Sequence, residues 1–519
     1  MTDHLDTPDT LPALVTQAAQ RWPVRTAWIF DATGGRFTFA DVDEHSDRFA
    51  AALHELGVRP GDRVAVMLRN EPEFPLLWLA LAKLGAVLVP VNTNYREFDG
   101  AHVLRHSGAR FAVAAEEFVE LLEKIAPETS VERVLTPAAL QTREWPSRLE
   151  PAVPLTTQVV PEQPVNIQYT SGTTGAPKGC VLPHRYWTTL AHSLATDFPA
   201  VGEQDVLLTA QPFHYIDPQW NVALGLAGGA TLVVLDRFHP STFWAKVREH
   251  GVTWFYCLGL MPTLLLRQPP HPADHNHRVR AICASAIPPE LHAELEQRWG
   301  VPWYEAFGMT ETGGDIRVSE ADHDVAVGTG CIGRPSRDRE VMIAGDDGKP
   351  LPRGETGELL VRGVGLMHGY HDDPEATARA FAGGWFHTGD LARMDARGRV
   401  FFAGRTKDMI RRSGENISAD EVERVLLLHP AVRLAAVLAV PDELRGEEVK
   451  AYVVCEGKPE PEELAEFCAR KLAYFKVPRF WAFASDLPLT PSERVAKGEL
   501  RKVADLRAGS WDRSAGTWV

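Results

Sequence analysis

A chain of 519 residues is long enough for roughly two to four domains. Its 54 lysines and arginines stand against 69 aspartates and glutamates, and the net charge of −15 argues against nucleic acid or an anionic membrane as general partners. With 45% hydrophobic and 24% charged residues it reads as an ordinary globular protein, neither disordered nor fibrous, and able to build its cores without covalent staples.

The cysteines (Cys180, Cys257, Cys283, Cys331, Cys455, Cys468) are scattered with no CxxC pair, so they read as small buried hydrophobes of a reducing compartment. The N-terminus carries Asp3, Asp6 and Asp9 where a secretory signal needs a basic start. The most apolar window, 76–89, is too short to span a bilayer and is interrupted by Lys83. The expectation is a cytoplasmic protein with no membrane span.

In chain order, the first third alternates β-type runs with helical patterns: a strand at 63–68 behind the turn Pro60-Gly61-Asp62, a helix at 74–84, and strands at 87–91 and 110–114. Strands separated by helices imply parallel pairing through right-handed crossovers, hence an α/β sheet covered on both faces. Between 136 and 164 prolines crowd together (Pro137, Pro146, Pro151, Pro154, Pro161, Pro164), which reads as a surface connection between subdomains. The alternation resumes with strands at 205–210, 231–235 and 253–258. Past Gly330, strands at 339–344, 357–362 and 399–404 among many glycines read as an antiparallel, barrel-like stretch. Beyond Gly404, a helix at 420–428, strands at 434–440 and 448–454 and a helix at 461–471 make a compact C-terminal segment.

The most informative stretch is Tyr169-Thr-Ser-Gly-Thr-Thr-Gly-Ala-Pro-Lys-Gly179. Hydroxyls of Thr170, Ser171, Thr173 and Thr174 interleave with Gly172, Gly175 and Gly179, giving a loop dense in N–H and O–H donors that can wrap an anion closely. Lys178 adds positive charge. It is not a P-loop, because Pro177 precedes this lysine and Gly179 follows it.

This segment resembles the signature of the adenylate-forming superfamily, which includes acyl- and aryl-CoA synthetases, luciferases and peptide-synthetase adenylation domains. Further resemblances follow in order. Pro212-Phe213-His214 is similar to the segment whose histidine gates the acyl pocket. Tyr304, Glu305, Ala306, Phe307, Gly308, Met309, Thr310 and Glu311 resemble the adenine and magnesium segment, which implies Thr310 near the α-phosphate and Glu311 on Mg²⁺. Trp385-Phe-His-Thr-Gly-Asp390 resembles the ribose segment, with Asp390 accepting from the sugar hydroxyls. Gly404-Arg405-Thr-Lys407-Asp408 resembles the hinge, with Arg405 on the ribose and Lys407 as pivot. Arg412-Ser-Gly-Glu-Asn-Ile417 resembles the loop lining the pantetheine tunnel, where Gly414 and Glu415 would meet CoA. The residue types suit these roles: a carboxylate such as Glu311 is what Mg²⁺ keeps when phosphates supply the rest of its shell.

The resemblance implies an α/β fold: a large N-terminal body of two α/β subdomains plus a small β-barrel, then a small mobile α+β C-terminal domain. The expected boundaries are 1–404 for the AMP-binding domain and 405–519 for the mobile domain, hinged at 405–408. The implied activity is an acid:CoA ligase of the acyl-CoA branch using ATP/AMP, Mg²⁺ and coenzyme A. Its partners would be a carboxylic acid or acyl-adenylate and CoA.

One departure bears on mechanism. Near the C-terminus the family carries Pro-Lys-Thr-x-Ser-Gly-Lys, whose last lysine bridges substrate carboxylate and α-phosphate during adenylation. Here Leu487-Pro-Leu-Thr-Pro-Ser-Glu-Arg-Val495 places Arg494 at the lysine and Glu493 at the glycine. Arginine presents a wide planar fork rather than a compact ammonium, and glutamate enters positive φ less readily than glycine. The expectation is intact thioester formation with impaired adenylation, the acyl-adenylate then coming from a separate adenylating enzyme. The alternatives are a full two-step ligase using Arg494 or Lys497, a freestanding adenylation enzyme loading a carrier protein in trans, and a non-catalytic nucleotide binder.

Pocket candidates Trp220, Asn221, Cys257 and Gly259 are apolar or small, without a charged anchor, which favours an apolar acid. Two motifs are set aside. Gly328-Thr-Gly330-Cys-Ile-Gly333 matches GxGxxG, but Arg334-Pro335 follows, so no helix starts there. His271, Asp274, His275 and His277 read as an exposed proline-flanked loop rather than a metal site.

Overall fold

The computed structural model describes residues 8–141, 159–170, 177–405, 408–412, 415–442, 445–490 and 495–519. The chain divides into two compact units, one comprising most of 1–341 with 361–385, the other 342–360 with 386–519. Residues 386–404 thus group with the C-terminal segment. Most of the proline-rich connection, and Lys407, Gly414 and Arg494, fall outside the described residues.

The first unit holds two sheets, and both are parallel through the middle, as alternating strands and helices require. One is a seven-stranded sheet in the order Gly369–Tyr370, Lys178–Pro183, Pro164–Thr170, Val87–Pro90, Arg63–Met67, Phe111–Ala114 and Arg133–Leu135. The other runs Cys331–Pro335, Gly313–Arg317, Trp303–Met309, Ala281–Ser285, Trp254–Leu258, Val206–Thr209, Thr231–Val234, Thr26–Phe30 and Gly35–Thr38. The expected strands and helices are found with ends shifted by a residue or two, the scale on which helix and strand ends fray.

Each sheet has its own core. Phe255, Cys257, Ile282, Leu295, Trp299 and Trp303 are buried together beside the second sheet. Burying each such side chain fully stabilises the fold by about 1.5–3 kcal/mol. The apolar window 76–89 covers most of the helix Glu73–Lys83, buried from Phe74 onward, and runs into the buried strand Val87–Pro90. Its Lys83 lies inside because Asp43 and Asp47, at 2.7 and 2.6 Å, neutralise it. Among the described residues no helix is long and apolar enough to cross a membrane. All of the cysteines are free thiols.

The strands Trp303–Met309 and Gly313–Arg317 form a hairpin in which Gly308 faces Gly314. A Cβ on Gly308 would lie 1.9 Å from the Gly313 carbonyl oxygen, so this crossing admits no side chain. Below it, Arg339 and Asp315 pair at 2.8 Å with both side chains essentially out of solvent. Arg339 also donates to the Thr312 carbonyl at 2.7 Å and to the Val364 carbonyl, and the Thr312 hydroxyl donates to Asp315. Every charge in this knot has a partner, which is what makes a buried pair tolerable.

In the second unit, Val432–Asp442 and Gly446–Cys455 pair antiparallel, and Phe480–Phe483 joins the latter in parallel. The helices Ala419–Leu427 and Pro461–Ala469 cover this sheet through Val422, Leu426, Leu464 and Cys468, which pack on Val437, Val449 and Trp481. The strands Phe386–Met394 and Val400–Arg405 pair antiparallel, as the glycine-rich texture suggested.

Removing one member of the Arg339–Asp315 pair should cost far more than removing both. Arg339→Met is expected to destabilise by about 3–5 kcal/mol, because it strands a buried carboxylate. The double variant Arg339→Met/Asp315→Leu should recover most of that loss. Thermal unfolding at one fixed scan rate, comparing the singles with the double, reads this directly.

Candidate active site

The phosphate-loop motif begins at the end of a strand. Pro164–Thr170 pairs antiparallel with Lys178–Pro183, so Thr170 faces Lys178 across the hairpin; Ser171, Gly172, Thr173, Thr174 and Gly175 lie outside the described residues. Gly179 is required here, since a Cβ would come within 2.7 Å of the Ile167 side chain. The Lys178 ammonium sits 4.7 Å from the centre of the Tyr370 ring, a cation–π contact.

Thr310 and Glu311 occupy the turn between the two strands braced by Arg339. The Tyr370 hydroxyl donates to the Glu311 carboxylate at 3.1 Å, and the Met367 amide to the Glu311 carbonyl at 2.9 Å. Burial, and then the Glu311 charge, push the Tyr370 hydroxyl upward, so it stays protonated and donates. Lys178 and Glu311 therefore meet the same tyrosine, the ammonium at its ring and the half-buried carboxylate at its hydroxyl. That donor set fits Mg²⁺ accompanied by phosphate oxygens.

Not every residue of the Tyr304–Thr310 stretch faces outward for a ligand. The Glu305 carboxylate accepts from the Ala286 and Ile287 amides at 2.6 and 2.7 Å. Ala286 has φ of +68°, a left-handed conformation that costs a non-glycine residue about 1–2 kcal/mol. Glu305 is the brace that holds it. Tyr304 packs between Phe198 and His323, with ring centres 4.4 and 4.9 Å away. Ala306 accepts the Ser285 hydroxyl through its carbonyl at 2.7 Å, while Phe307 is half-buried and Gly308 exposed.

His214 is held from both sides. Asn70 accepts the Phe213 amide at 3.1 Å and donates to the Gln211 and Leu235 carbonyls. Gln168, two residues before Thr170, donates to the His214 carbonyl at 2.5 Å. Gln219 joins in, accepting from Asn166 at 2.8 Å and donating to Gln168 at 3.3 Å. The imidazole is buried with no hydrogen-bond partner on either nitrogen, and burial pushes it down to about 3, so it is neutral at physiological pH.

Of the pocket candidates, Trp220 and Asn221 lie on the helix Ile216–Gly228. Trp220 packs edge-on against Tyr256 at 5.4 Å. Cys257, the next residue along that strand, points to the opposite face and belongs to the hydrophobic core. Gly259 takes φ of +53° with open space where a Cβ would stand. The sequence reading passed over Asp217, an acid on the same helix that is 4% exposed.

In the second unit, Asp390 is buried and pairs with Arg405 at 3.1 Å. The Thr388 hydroxyl donates to the Leu359 carbonyl and accepts the Asp390 amide, and Glu358 accepts the Gly389 amide. Lys497 is held by Glu423 at 2.7 Å and by Asp408 at 3.3 Å, and Arg501 also reaches Asp408. Burial opposes the Lys497 charge, but the two carboxylates outweigh it and hold the ammonium above the usual lysine range. Burial pushes Glu423 up to about 7 even with Lys497 beside it. Glu415 lies in the strand Glu415–Ser418.

Both set-aside motifs behave as read. The GxGxxG stretch runs into the strand Cys331–Pro335, with no helix beginning there. The histidines at 271, 275 and 277 sit in a largely exposed loop, although Asp274 is buried against Arg298. The described residues do bring His292, Glu296 and His323 together. Those groups are engaged with each other and with the Trp303 backbone, a structural brace.

Residues 15–371 match the AMP-binding enzyme family, and 421–494 match the AMP-binding enzyme C-terminal domain. Crotonobetaine/carnitine–CoA ligase of Escherichia coli is 34% identical over 503 residues, 92% of this chain and 96% of that protein. The o-succinylbenzoate CoA synthetase MenE of Bacillus subtilis, solved with its acyl-adenylate OSB-AMP, superposes with a TM-score of 0.84 at 28% identity, covering 95% and 98% of the two chains. The anthranilate CoA ligase AuaEII with anthranoyl-AMP gives 0.86 at 25% identity, covering 96% and 97%. The chain accordingly belongs to the AMP-binding enzyme family, in its acyl-CoA ligase branch, and is an AMP-forming acid–thiol ligase that works through an acyl-adenylate.

Proposed function

We propose that the chain is at its best in the second half-reaction, making a CoA thioester from an acyl-adenylate, and that its own adenylation of the free acid is weak. In adenylation a carboxylate oxygen of the acid attacks the ATP α-phosphorus as the bond to pyrophosphate breaks. In thioester formation the CoA sulfur attacks the acyl carbon, the thiol proton leaves, and the bond to AMP breaks. The observation that carries the reading is the engagement of Lys497, the one lysine close to Arg494 in sequence, by Glu423 and Asp408. A lysine so held supports the view that nothing has replaced the missing bridging ammonium.

The remaining assignments follow the geometry of each unit. Thr170, Lys178 and Thr310 would bind phosphate oxygens, and Glu311 would hold Mg²⁺, which neutralises phosphate charge when bound. Phe307, flanked by Ala306 and Gly308, would meet adenine, with Glu305 and Tyr304 shaping the strand behind it. Asp390, oriented by its own backbone contact to Thr388 and paired with Arg405, would accept the ribose hydroxyls. His214, neutral and clamped through its carbonyl, would stand at the mouth of the acyl pocket. Residues 1–404 would form the AMP-binding domain and 405–519 the mobile domain, turning at 405–408 about Lys407 to bring Gly414 and Glu415 to the thiol. A carrier-bound thiol in place of CoA is the competing acceptor, and a side-by-side comparison of the two separates them.

Supplying purified protein with acid, ATP and CoA, and separately with pre-formed acyl-AMP and CoA, tests the reading. The second feed should turn over faster by roughly 10²–10³, the usual worth of one charge-stabilising group. Equal rates refute the impairment, and failure on acyl-AMP refutes the retained half. Restoring the family pattern with Glu493→Gly/Arg494→Lys should raise pyrophosphate release by a similar factor and leave thioester formation from acyl-AMP unchanged. Glu311→Gln should do the reverse, lowering pyrophosphate release by roughly 10² or more while acyl-AMP turnover falls much less.

A further inference from the structure

The helix Glu97–Ser107 brings two histidines to the root of the hairpin that bears Thr170 and Lys178. His102 and His106 stand one turn apart on the same face, and their rings stack with centres 5.5 Å apart at 22°. The His106 Nδ1 meets the Tyr169 hydroxyl at 2.7 Å, and the His102 Nε2 meets the Pro177 carbonyl at 3.3 Å. Tyr169 is the residue before Thr170, and Pro177 is the residue before Lys178. One helix face therefore holds each arm of the hairpin by its own polar contact. The far side is closed by His371, whose amide donates to the Gly179 carbonyl at 2.7 Å and whose ring meets His106 edge-on at 5.4 Å.

Each contact fixes the place of a proton. A carbonyl only accepts, so the His102 Nε2 carries hydrogen and donates to Pro177. Burial lifts the Tyr169 hydroxyl above the usual tyrosine range, and it stays a phenol. Burial, and then His102 beside it, push His106 down, so its ring is neutral, accepting at Nδ1 with its hydrogen on Nε2. Packing does not explain the choice of residue. Val103 and Leu104 of the same helix enter the apolar core, while His102 and His106 are half-buried outside it. What imidazoles add at these two positions is an acceptor for one arm and a donor for the other.

We propose that His102 and His106 are positioning residues for nucleotide phosphate: together they clamp the two arms of the hairpin and so fix where the Thr170 hydroxyl and the Lys178 ammonium meet phosphate oxygens. This rests on the reading that Thr170 and Lys178 bind phosphate, and adds the device that spaces them. The pair Thr170–Lys178 is the last rung of its ladder, the point where strands fray most readily. A contact to one arm alone would leave the other free to open there. With both arms tied to neighbouring turns of one helix, the gap between hydroxyl and ammonium is set before phosphate arrives.

The test is calorimetry of ATP with Mg²⁺ on the full-length protein. His106→Leu and His102→Leu should each weaken binding roughly three- to tenfold, the worth of one such hydrogen bond. His106→Asn keeps an acceptor where Nδ1 stands, and His102→Gln keeps an N–H where Nε2 stands. Both should therefore bind within about twofold of the parent, a rescue that a role in packing alone would not give. Parental affinity in the leucine variants, or equal losses in the conservative ones, overturns the clamp. Nitrogen NMR of the histidine-labelled parent, assigned with the two conservative variants, keeps the question decidable if a leucine variant fails to fold. It should show hydrogen on Nε2 of both rings and a bare Nδ1 on His106, and the opposite tautomer of either ring overturns the clamp. Lys178→Met tests the reading beneath and should lose roughly tenfold or more. Unchanged affinity there removes the phosphate reading itself, whereas a loss there with unchanged leucine variants removes the clamp alone.

Discussion

Side-chain amides buried between two elements set the geometry on which the chemistry of the first unit depends. Asn166 and Gln168 project from the strand that ends at Thr170, and Gln219 projects from the helix that bears Asp217 and Trp220. Trp78 donates to Asn166 at 2.9 Å, Asn166 to Gln219, and Gln219 to Gln168 and to the Phe213 carbonyl at 2.9 Å. Apolar packing tolerates small slips, whereas a closed polar lattice does not, since any slip leaves a buried partner unsatisfied at about 1–3 kcal/mol. The strand that ends at Thr170 and the helix that carries Asp217 and Trp220 are thereby held at a fixed spacing. A reaction joining a carboxylate to a phosphoryl group needs that, because misplacement by about 1 Å can cost roughly 10² in rate.

Against this frame four carboxylates do four different jobs, and environment decides which. Glu305 is saturated by two backbone amides and acts as a brace. Asp315 is saturated by Arg339 and Thr312 and locks a hairpin. Glu311 is half-buried, takes a hydrogen bond from the Tyr370 hydroxyl and keeps part of its carboxylate open to a ligand. Asp217 is buried on hydrogen bonds from Thr209 and Trp220. Residue type is common to all of them. The count of donors already committed to each is what separates structure from function.

That count is also where reading the sequence stopped. The alternation of β-type and helical runs was legible, and the strands at 63–67, 231–234 and 339–344 fall within a residue of where periodicity put them. The order of the glycine- and hydroxyl-rich motifs carried the family. Asp217 was not legible, because an acid in the first turn of a helix ordinarily faces solvent and complements the helix dipole, and nothing in the local pattern announces burial. The bracing part of Glu305 was not legible either: its motif neighbours point toward the nucleotide, while its carboxylate takes its donors from a loop some twenty residues earlier in the chain, at Ala286 and Ile287. Cys257 was drawn into the pocket with Gly259, though strand alternation already assigns it to the other face from Tyr256.

The same accounting bears on the C-terminal unit. For Lys497 to leave its position and serve as the bridging cation, it would abandon Glu423, whose carboxylate also accepts the Val437 amide, and weaken the hold on Asp408. Breaking one side of a buried pair costs about 3–5 kcal/mol, and the bridging charge gained would be worth about 2.7–4 kcal/mol in the transition state. The two nearly cancel, and for that reason the proposed reading assigns Lys497 no bridging role. With Arg494 in place of the family lysine, a neighbouring lysine kept in such a brace is the physical basis of the proposal that the chain receives an activated acyl group more readily than it makes one.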